Sequence, residues 1–345
     1  ETGTLQMTNR LESLISALKG HKVFIQTHDF PDPDALASAF GLQKLLMLFD
    51  VKTVICYSGI ISKASTTSMV STFGIEMTDI ESVSDMNKDD YVITIDAQTN
   101  NANIVAPKGT IVACIDHHPT TTPYEYLFKD VRICGACSSI VADYYFSNGL
   151  QPDKNTATAL LYGLKMDTED FRRGVTSFDI DMYRMLFDFA EESQIKDLLH
   201  QQMEFSDLRN YTIALGNIKV FDGIAFSYID LDVTDGLIAS VSDFMLTLLE
   251  VEFTVVYAKR SNGYKFSVRS QLDYLDAGVI TTNALEGIGT GGGHGAMAGG
   301  YVPFANIEDA EFDVEEEIQN RFINSVYFSR TLQDVLTDPL SNFTN

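Results

Sequence analysis

The sequence predicts an α/β protein: a doubly wound domain with a mostly parallel sheet, followed by a smaller α/β domain. In the first half of the 345 residues, short apolar β-rich runs alternate with segments of helical apolar spacing. This alternation is typical of a parallel sheet that helices cover on both faces. From Tyr211 onward the strand-like runs lie closer together, and Asn262-Gly263 gives a strong β-hairpin signal between two of them. The length itself suggests about two domains.

Each element of the first domain follows from its apolar pattern. Continuous apolar runs predict buried strands, and apolar residues at helical intervals predict helices. The strands are expected at residues 22–27, 51–57, 91–95 and 110–115. The helices are expected at residues 34–49, 138–147, 154–164, 178–189 and 194–205.

The second domain is predicted from strands at residues 219–222, 224–229, 253–258 and 264–270, with helices at 236–249 and 307–327. We expect the first domain at residues 7–190, a helical linker at 191–206 and the second domain at 207–345. Residues 1–6 are interpreted as a cloning scar, with Met7 as the native start.

The charge balance limits the partners of the chain. It has 24 Lys and Arg against 48 Asp and Glu, a formal net charge of −24. Binding to long nucleic acid depends mostly on Lys and Arg neutralising phosphates, so a long nucleic-acid partner is disfavoured, whereas a short anionic ligand is not. The most apolar stretch, residues 40–61, contains charged residues, so no membrane span is expected. Four Cys do not form a disulfide framework, which indicates a reducing cytoplasm.

Acidic and His residues follow three of the predicted strands. Because the carboxyl ends of parallel strands meet at one edge of a sheet, these residues are expected to converge there. Clustered carboxylates stay ionised only beside a cation, and oxygen with imidazole ligands suits Mn²⁺, Mg²⁺ or a similar ion. One Asp after a strand is usually a helix cap, but the coincidence at three strand ends favours a metal site. The residues are His28, Asp32, Asp34, Asp96, Asp116, His117 and His118, with Asp167 after a helical segment.

The Asp32-Pro33-Asp34 segment is predicted to be an extended turn in which the two carboxylates serve neighbouring ions. Proline holds its preceding residue extended, which would stiffen this turn. A carboxylate that bridges two ions about 3.5–4 Å apart is the arrangement of two-metal phosphoryl enzymes.

The ordered motifs resemble a known family. His28-x-x-x-Asp32-x-Asp34, Asp96, Asp116-His117-His118 and Asp167-Thr168 resemble the DHH phosphoesterase superfamily, and Gly291-Gly292-Gly293-His294 resembles the glycine-rich loop of the DHHA1 domain. The sequence departs from the family at Pro33, where Asp-Gly-Asp is common. The resemblance implies a DHH catalytic domain and a smaller DHHA1 domain with the active-site cleft between them.

The resemblance also implies two Mn²⁺ ions, with Mg²⁺ or Co²⁺ as substitutes, and a water activated between them as the nucleophile. His28 and Asp32 would bind one ion, Asp34, His117 and Asp167 the other, and Asp96 both. Asp116 would orient His117, and His118 would act on the substrate phosphate as a donor or general acid. The implied substrate contacts are Arg269, Gly292, Gly293 and His294.

The family resemblance points to an oligoribonuclease of the nanoRNase type that cleaves linear dinucleotides and very short RNA, such as pGpG, to 5′-mononucleotides. The alternatives are a phosphatase of 3′-phosphoadenosine 5′-phosphate and a cyclic dinucleotide phosphodiesterase. A non-enzymatic scaffold would be expected to lack a ligand, and none is missing here. A homodimer is compatible with this interpretation.

Two further motifs have weaker functional interpretations. Cys134-x-x-Cys137 fits a redox pair, but packing near the active site is the favoured interpretation. In the Phe171-Arg172-Arg173-Gly174 segment, Arg173 is expected to face the ligand.

Overall fold

The computed structural model describes residues 9–61, 64–99, 103–120, 122–200, 205, 207–308 and 313–337. The chain divides into two compact units, residues 1–202 and 203–345. Residues 1–6, interpreted above as a cloning scar, lie outside the described residues. None of the helices in the described part of the chain combines the length and apolarity that a membrane span needs.

The first unit is built on a six-stranded sheet in the order β3-β2-β1-β4-β5-β6. Its strands are β1 Val23–Gln26, β2 Thr53–Tyr57, β3 Met77–Asp79, β4 Tyr91–Ile95, β5 Thr110–Asp116 and β6 Phe128–Val131. All five neighbouring pairs are parallel. The strand order reverses beside β1, which pairs with β2 on one side and β4 on the other. The predicted doubly wound fold is confirmed, and this switch point is where such sheets bind ligands.

Seven helices are described in the first unit: α1 Asn9–Leu18, α2 Pro33–Met47, α3 Ala64–Phe73, α4 Cys137–Phe146, α5 Lys154–Asp167, α6 Ser177–Phe187 and α7 Glu192–His200. A short 3₁₀ turn spans Ile80–Ser82. Leu36 and Phe40 of α2 and Leu160 of α5 are buried in one core with Ile25 of the sheet. This core places the start of α2 at the carboxyl end of β1.

The extended turn predicted for Asp32-Pro33-Asp34 is wrong, because helix α2 begins there. Asp32 is the N-cap, and its Oδ1 accepts a hydrogen bond of 3.0 Å from the amide of Ala35. Pro33 is the first helical residue, a position where its missing N–H costs nothing. Asp34 lies in the first helical turn and is buried. Asp32 and Asp34 are therefore separated by the start of a helix.

Helix α7 lies inside the range predicted as a linker. Its Ile195 and Leu198 are part of the first core, so this helix packs with the first unit. The predicted helix continued to residue 205, but α7 ends at His200, and residues 201–204 and 206 lie outside the described residues.

The second unit has a six-stranded sheet in the order β11-β12-β10-β9-β8-β7. The strands are β7 Lys219–Phe221, β8 Ile224–Ile229, β9 Phe253–Arg260, β10 Gly263–Ser270, β11 Thr290–His294 and β12 Met297–Pro303. Only β8 and β9 pair in parallel among these strands. The described helices are α8 Asp207–Gly216, α9 Asp235–Met245, α10 Ala277–Leu285 and α11 Val314–Thr337, with a 3₁₀ turn at Phe304–Asn306. The predicted smaller α/β domain is confirmed.

The predicted hairpin joins β9 and β10, with its turn one residue earlier than expected. Ser261 and Asn262 form the turn, and Gly263 already pairs with Arg260. Gly263 is needed for packing, since a Cβ there would meet the Tyr301 ring at 2.7 Å.

Two expectations for the second unit are corrected. The glycine segment is an edge strand, β11, paired with β12, and not a loop. Glycine lets this strand pack against α10, because a Cβ on Gly291 would meet Thr281 Cγ2 at 2.6 Å. The last helix starts at Val314, where Asp313 Oδ1 accepts the amide of Glu316 at 3.0 Å, so it begins later than the predicted residue 307.

Candidate metal centre

The structure brings seven of the predicted residues of the first unit together at the carboxyl ends of β1, β4 and β5. They form three overlapping groups, in each of which the potential ligand atoms lie within 4.8 Å of one another. The groups are His28 with Asp32 and Asp96; Asp34 with His117 and Asp167; and Asp96 with His117 and His118.

Asp96 belongs to the first group and also lies close to His117 of the second. Its Oδ2 is 3.7 Å from His28 Nε2, and its Oδ1 is 3.3 Å from His117 Nε2. The residue follows β4 in the left-handed conformation, at φ 55°, which Asp tolerates better than most residues. Its Oδ1 is buried, and no group of the described residues forms a hydrogen bond with it. A buried carboxylate oxygen of this kind requires a cation or a proton nearby.

Both histidines of these groups have one ring nitrogen tied to the backbone. Nδ1 of His28 donates to the carbonyl of Asp29 at 2.8 Å, and Nδ1 of His117 donates to the carbonyl of Cys134 at 3.0 Å. Nε2 is therefore the nitrogen turned toward the carboxylates in each case. Metal-ligating histidines are usually fixed in this way, so the donor set fits divalent ions.

The amino end of helix α4 holds the carboxylate of Asp34. The amides of Cys137 and Ser138 donate to its two oxygens at 2.7 and 2.9 Å, and the Ser138 hydroxyl donates as well. Burial and then the charges of Asp96 and Asp167 nevertheless raise the pKa of Asp34 well above its usual value. The positive end of the helix therefore partly offsets the repulsion inside the acidic cluster.

The crowded charges shift the other pKa values of the centre. Burial disfavours the charged form of His28, but the hydrogen bond and charge of Asp32 outweigh it and raise the pKa to about 10. Burial also disfavours the charged form of His117, but the hydrogen bond and charge of Asp96 outweigh it and raise the pKa of His117 to about 11. Burial and the charge of Asp32 raise the pKa of Asp167 to about 6. Without metal ions, protons would therefore balance the carboxylates, and metal binding would displace them.

Asp116 orients His118 and not the ring of His117, which corrects the expected role. The Asp116 Oδ1 atom accepts from His118 Nδ1 at 2.9 Å and from the backbone amide of His117 at 2.8 Å. The ring of His117 turns to Cys134 because successive residues leave the strand end in different directions. The hydrogen bond to Asp116 raises the pKa of His118.

The sequence interpretation missed two supporting groups. Gln98 is buried, and its Nε2 donates to Asp116 Oδ2 at 2.7 Å and to the His118 carbonyl at 2.9 Å. Its signal in the sequence is a polar side chain two residues after Asp96. Ser138 was assigned only to a helix, although the backbone amides at the start of a helix commonly bind anionic groups.

Arg173 contacts one of the predicted ligands. Its Nη2 donates to the Asp167 carbonyl at 2.7 Å and lies 3.2 Å from Asp167 Oδ1, and its Nη1 is 3.1 Å from Glu169 Oε1. The backbone turns back to allow this, since Glu169, Asp170 and Phe171 are all left-handed. That Arg173 faces a ligand stays a prediction.

Burial supports the packing interpretation of the Cys-x-x-Cys motif. Cys134 and Cys137 are free and buried. Burial raises the pKa of the Cys134 thiol to about 12 and that of Cys137 well above its usual value. The reactive thiolate is therefore disfavoured at both positions.

The predicted substrate contacts lie in the second unit. Arg269 on β10 donates from Nε to Asp243 Oδ1 at 2.6 Å, and from Nη1 to the Ser267 hydroxyl at 3.1 Å. Arg269 and His294 share the register partner Met297 on β12, so their backbones lie in one row across the sheet. Among the residues that the structure describes, no atom would lie within 4 Å of a Cβ on Gly292, whereas a Cβ on Gly293 would meet the backbone of β12. The binding roles of these residues stay predictions.

Comparison with known proteins gives two family matches. Residues 22–164 match the DHH family, N-terminal domain, and residues 222–320 match the DHHA1 domain. An uncharacterized protein of Methanocaldococcus jannaschii is 29% identical over 88% of this chain and 64% of its own length. This chain therefore spans less than two thirds of that relative.

Two named proteins are similar over most of the chain. The bifunctional oligoribonuclease and PAP phosphatase NrnA of Thermus thermophilus is 24% identical over 91% of this chain and 94% of its own. The crystal structure of an exopolyphosphatase-related protein from Bacteroides fragilis superimposes with a TM-score of 0.76 at 17% identity, covering 94% of this chain and 97% of that one. This structural similarity shows the fold.

Proposed function

Because this chain belongs to the DHH/DHHA1 phosphoesterase family, we propose that it hydrolyses linear dinucleotides and very short RNA, such as pGpG, to 5′-mononucleotides. The observation that carries the proposal is the buried Asp96, whose carboxylate lies between two groups of potential metal ligands. Two neighbouring cation positions that share a carboxylate suit phosphoryl chemistry.

We assign the metal ligands as two sets. His28 and Asp32 would hold one Mn²⁺, Asp34, His117 and Asp167 the other, and Asp96 both. Mg²⁺ or Co²⁺ are the expected substitutes. When bound, such ions supply neutralisation of phosphate charge and a lowered pKa for a nearby water.

The chain's own residues handle the proton of the leaving group. Asp116 accepts from His118 and is itself fixed by Gln98, so the His118 ring has a defined orientation. Its raised pKa favours the protonated ring. A protonated imidazole beside the phosphate can donate to the leaving oxygen as a general acid.

The substrate class follows from charge and from the second unit. A chain with a formal net charge of −24 repels long polyanions, which restricts the substrate to short pieces. We assign phosphate binding to Arg269, whose planar guanidinium suits phosphate oxygens, and to the backbone of Gly292 and Gly293 with His294 beside them. The relative from Thermus thermophilus carries the name of an oligoribonuclease.

A second candidate is the phosphatase reaction on 3′-phosphoadenosine 5′-phosphate. The name of the same relative joins this activity to the oligoribonuclease. Both substrates present a phosphate next to a nucleoside, so one centre can serve both. A cytoplasmic location is proposed as well, supported by four free, buried cysteines.

A turnover panel tests the proposal. The purified protein with Mn²⁺ is given pGpG, pApA, cyclic dinucleotides, longer RNA and 3′-phosphoadenosine 5′-phosphate, and products are separated by chromatography. We expect 5′-mononucleotides from the two linear dinucleotides, at rates well above those for longer RNA. If pGpG and pApA stay intact, the proposed function is wrong. Size measurement of the same sample tests the homodimer prediction.

A further inference from the structure

Phe30 is an exposed aromatic residue at the edge of the metal centre. It lies between the predicted ligands His28 and Asp32, in the turn that joins β1 to α2. Its side chain is 66% exposed, although phenylalanine is usually buried. Its backbone is left-handed, at φ 55°. A bulky residue with this conformation is an outlier, and such outliers cluster at functional sites.

Neighbouring loops hold this turn in place. The amide of Phe30 donates to the Ser58 carbonyl at 2.7 Å, and the amide of Asp29 donates to the Asn103 carbonyl at 2.7 Å. Asp29 Oδ1 accepts a third hydrogen bond, from the amide of Val105 at 3.1 Å. Both residues of the turn are therefore held by other loops, and the backbone from which the Phe30 ring projects has a defined position.

The ring of Phe30 rests on a glycine that makes room for it. A Cβ on Gly59 would meet Phe30 Cδ1 at 2.6 Å, and Gly59 is itself left-handed, at φ 90°. The next residue, Ile60, is 75% exposed. The turns after β1 and β2 therefore combine a supported aromatic ring with a second exposed apolar side chain, beside a highly polar centre.

We propose that Phe30 stacks on a nucleobase of the substrate and thereby selects nucleotides over phosphoesters that lack a base. The inference rests on the proposed function, because a phosphate at the metal centre brings its own nucleoside to this edge. Every base has a flat face, so aromatic stacking binds bases with little sequence preference. A rigid ring also loses little conformational entropy on binding.

A single introduced tryptophan tests the contact directly. The chain contains no Trp, so Phe30→Trp creates one fluorophore at this position. The protein is loaded with Mg²⁺ and titrated with a phosphorothioate-linked dinucleotide that resists hydrolysis, with inorganic phosphate as the base-free comparison. We expect saturable quenching by the dinucleotide and none by phosphate. The matched control is Leu48→Trp, an exposed position of the same unit at the far end of α2, which should not respond.

Kinetics supply the second readout. Stacking on one base is worth about five- to a hundredfold in binding, so Phe30→Ala should raise KM for pApA by about that factor, and Phe30→Tyr should restore it. Dinucleotides that lack one of their two bases locate the contact. If the missing base is the one that stacks on Phe30, the KM of Phe30→Ala should approach the KM of the native protein. Equal losses on intact and abasic substrates, or unquenched fluorescence from an active Phe30→Trp variant, would overturn the proposal. Quenching without hydrolysis of any linear dinucleotide would leave the contact standing and reject the proposed function.

Discussion

In the first unit the candidate site residues are buried charges at the ends of parallel strands, whereas in the second they are a glycine edge strand and one arginine. Asp34, Asp96 and Asp116 are each no more than 3% exposed, and Gly292 and Gly293 are exposed. The two units thus offer different chemistry to a ligand. The first offers side-chain oxygens and imidazoles, and the second mainly offers backbone amides and one guanidinium.

This difference decides which substitutions are informative. In the first unit, the proposed roles depend on side-chain charge, so the removal of a side chain is the informative test. At the three glycines of the β11 strand there is no side chain to remove, so only the addition of atoms reports on close approach. Removal of a side chain also distinguishes two kinds of buried carboxylate in the first unit. Some could bind metal, and others, such as Asp130, stabilise the fold.

The largest expected effect comes from Asp96→Asn. The substitution removes the carboxylate that lies 3.7 Å from His28 Nε2 and 3.3 Å from His117 Nε2, one histidine of each proposed ligand set, so Mn²⁺ content and hydrolysis should be lost together. In the absence of metal, the free energy of unfolding of Asp96→Asn should be no lower than that of the native protein, because the repulsion among the clustered carboxylates falls. Mn²⁺ at about a hundred times its Kd should stabilise the native protein by about 2.7 kcal/mol for each occupied site and the variant by nearly nothing.

The control for that variant is Asp130→Asn, a buried carboxylate of the same unit that pairs with Arg132. It should keep Mn²⁺ content and hydrolysis. If Asp96→Asn keeps its metal and its activity, Asp96 is not a metal ligand and the contrast drawn between the two units is wrong.

Gln98→Ala should have the next largest effect. Gln98 fixes Asp116, which in turn orients His118, so the loss should lower kcat by about 10- to 100-fold with KM little changed. The alkaline limb of the pH profile, where a general acid at His118 would lose its proton, should also move to lower pH, because the hydrogen bond to Asp116 raises the pKa of His118. A pure loss of stability with unchanged kcat would assign Gln98 to the fold alone.

Asp130 gives a stability prediction with a defined pH direction. Burial is outweighed by hydrogen bonds from Arg132 and Tyr144, so the pKa of Asp130 is lowered in the folded protein. The Asp130 carboxylate therefore stabilises the folded protein fully at pH values above its pKa in the unfolded chain, about 4. This contribution is lost as the pH falls through its lower pKa in the folded protein. Urea unfolding should show a loss of about 1–3 kcal/mol for Asp130→Asn at pH 7, and a smaller difference near pH 3. An equal difference at both pH values would contradict this account.

The smallest effect is expected from Gly292→Ala, which tests the second unit. A Cβ there meets no atom of the described part of the chain within 4 Å, so the protein should fold with unchanged thermal stability. If a substrate phosphate approaches this backbone, KM should rise several-fold while kcat changes little. Gly291→Ala is the matched comparison, because its Cβ would meet Thr281 and should lower stability. An unaffected KM in Gly292→Ala would remove that residue from the site.

Much of the fold could be predicted from local patterns. The strand at Tyr91–Ile95 and the hairpin of β9 and β10 follow from apolar runs and turn residues. Helix α10 and strand β12 were missed, because their alanines, glycines and threonines give no clear apolar period. The glycine strand was expected as a loop, since glycine disfavours a strand unless close packing requires it.

The sequence by itself determined the types of site residue and the edge of the sheet to which they belong. Their identities and spacing were enough, because the carboxyl ends of parallel strands share one edge. Only the tertiary structure decided that α4 holds the Asp34 carboxylate, that Cys134 and not Asp116 fixes the His117 ring, and that Gln98 supports Asp116. The physical reason is that these contacts depend on directions of N–H groups and side chains brought together from distant segments, which no local pattern encodes.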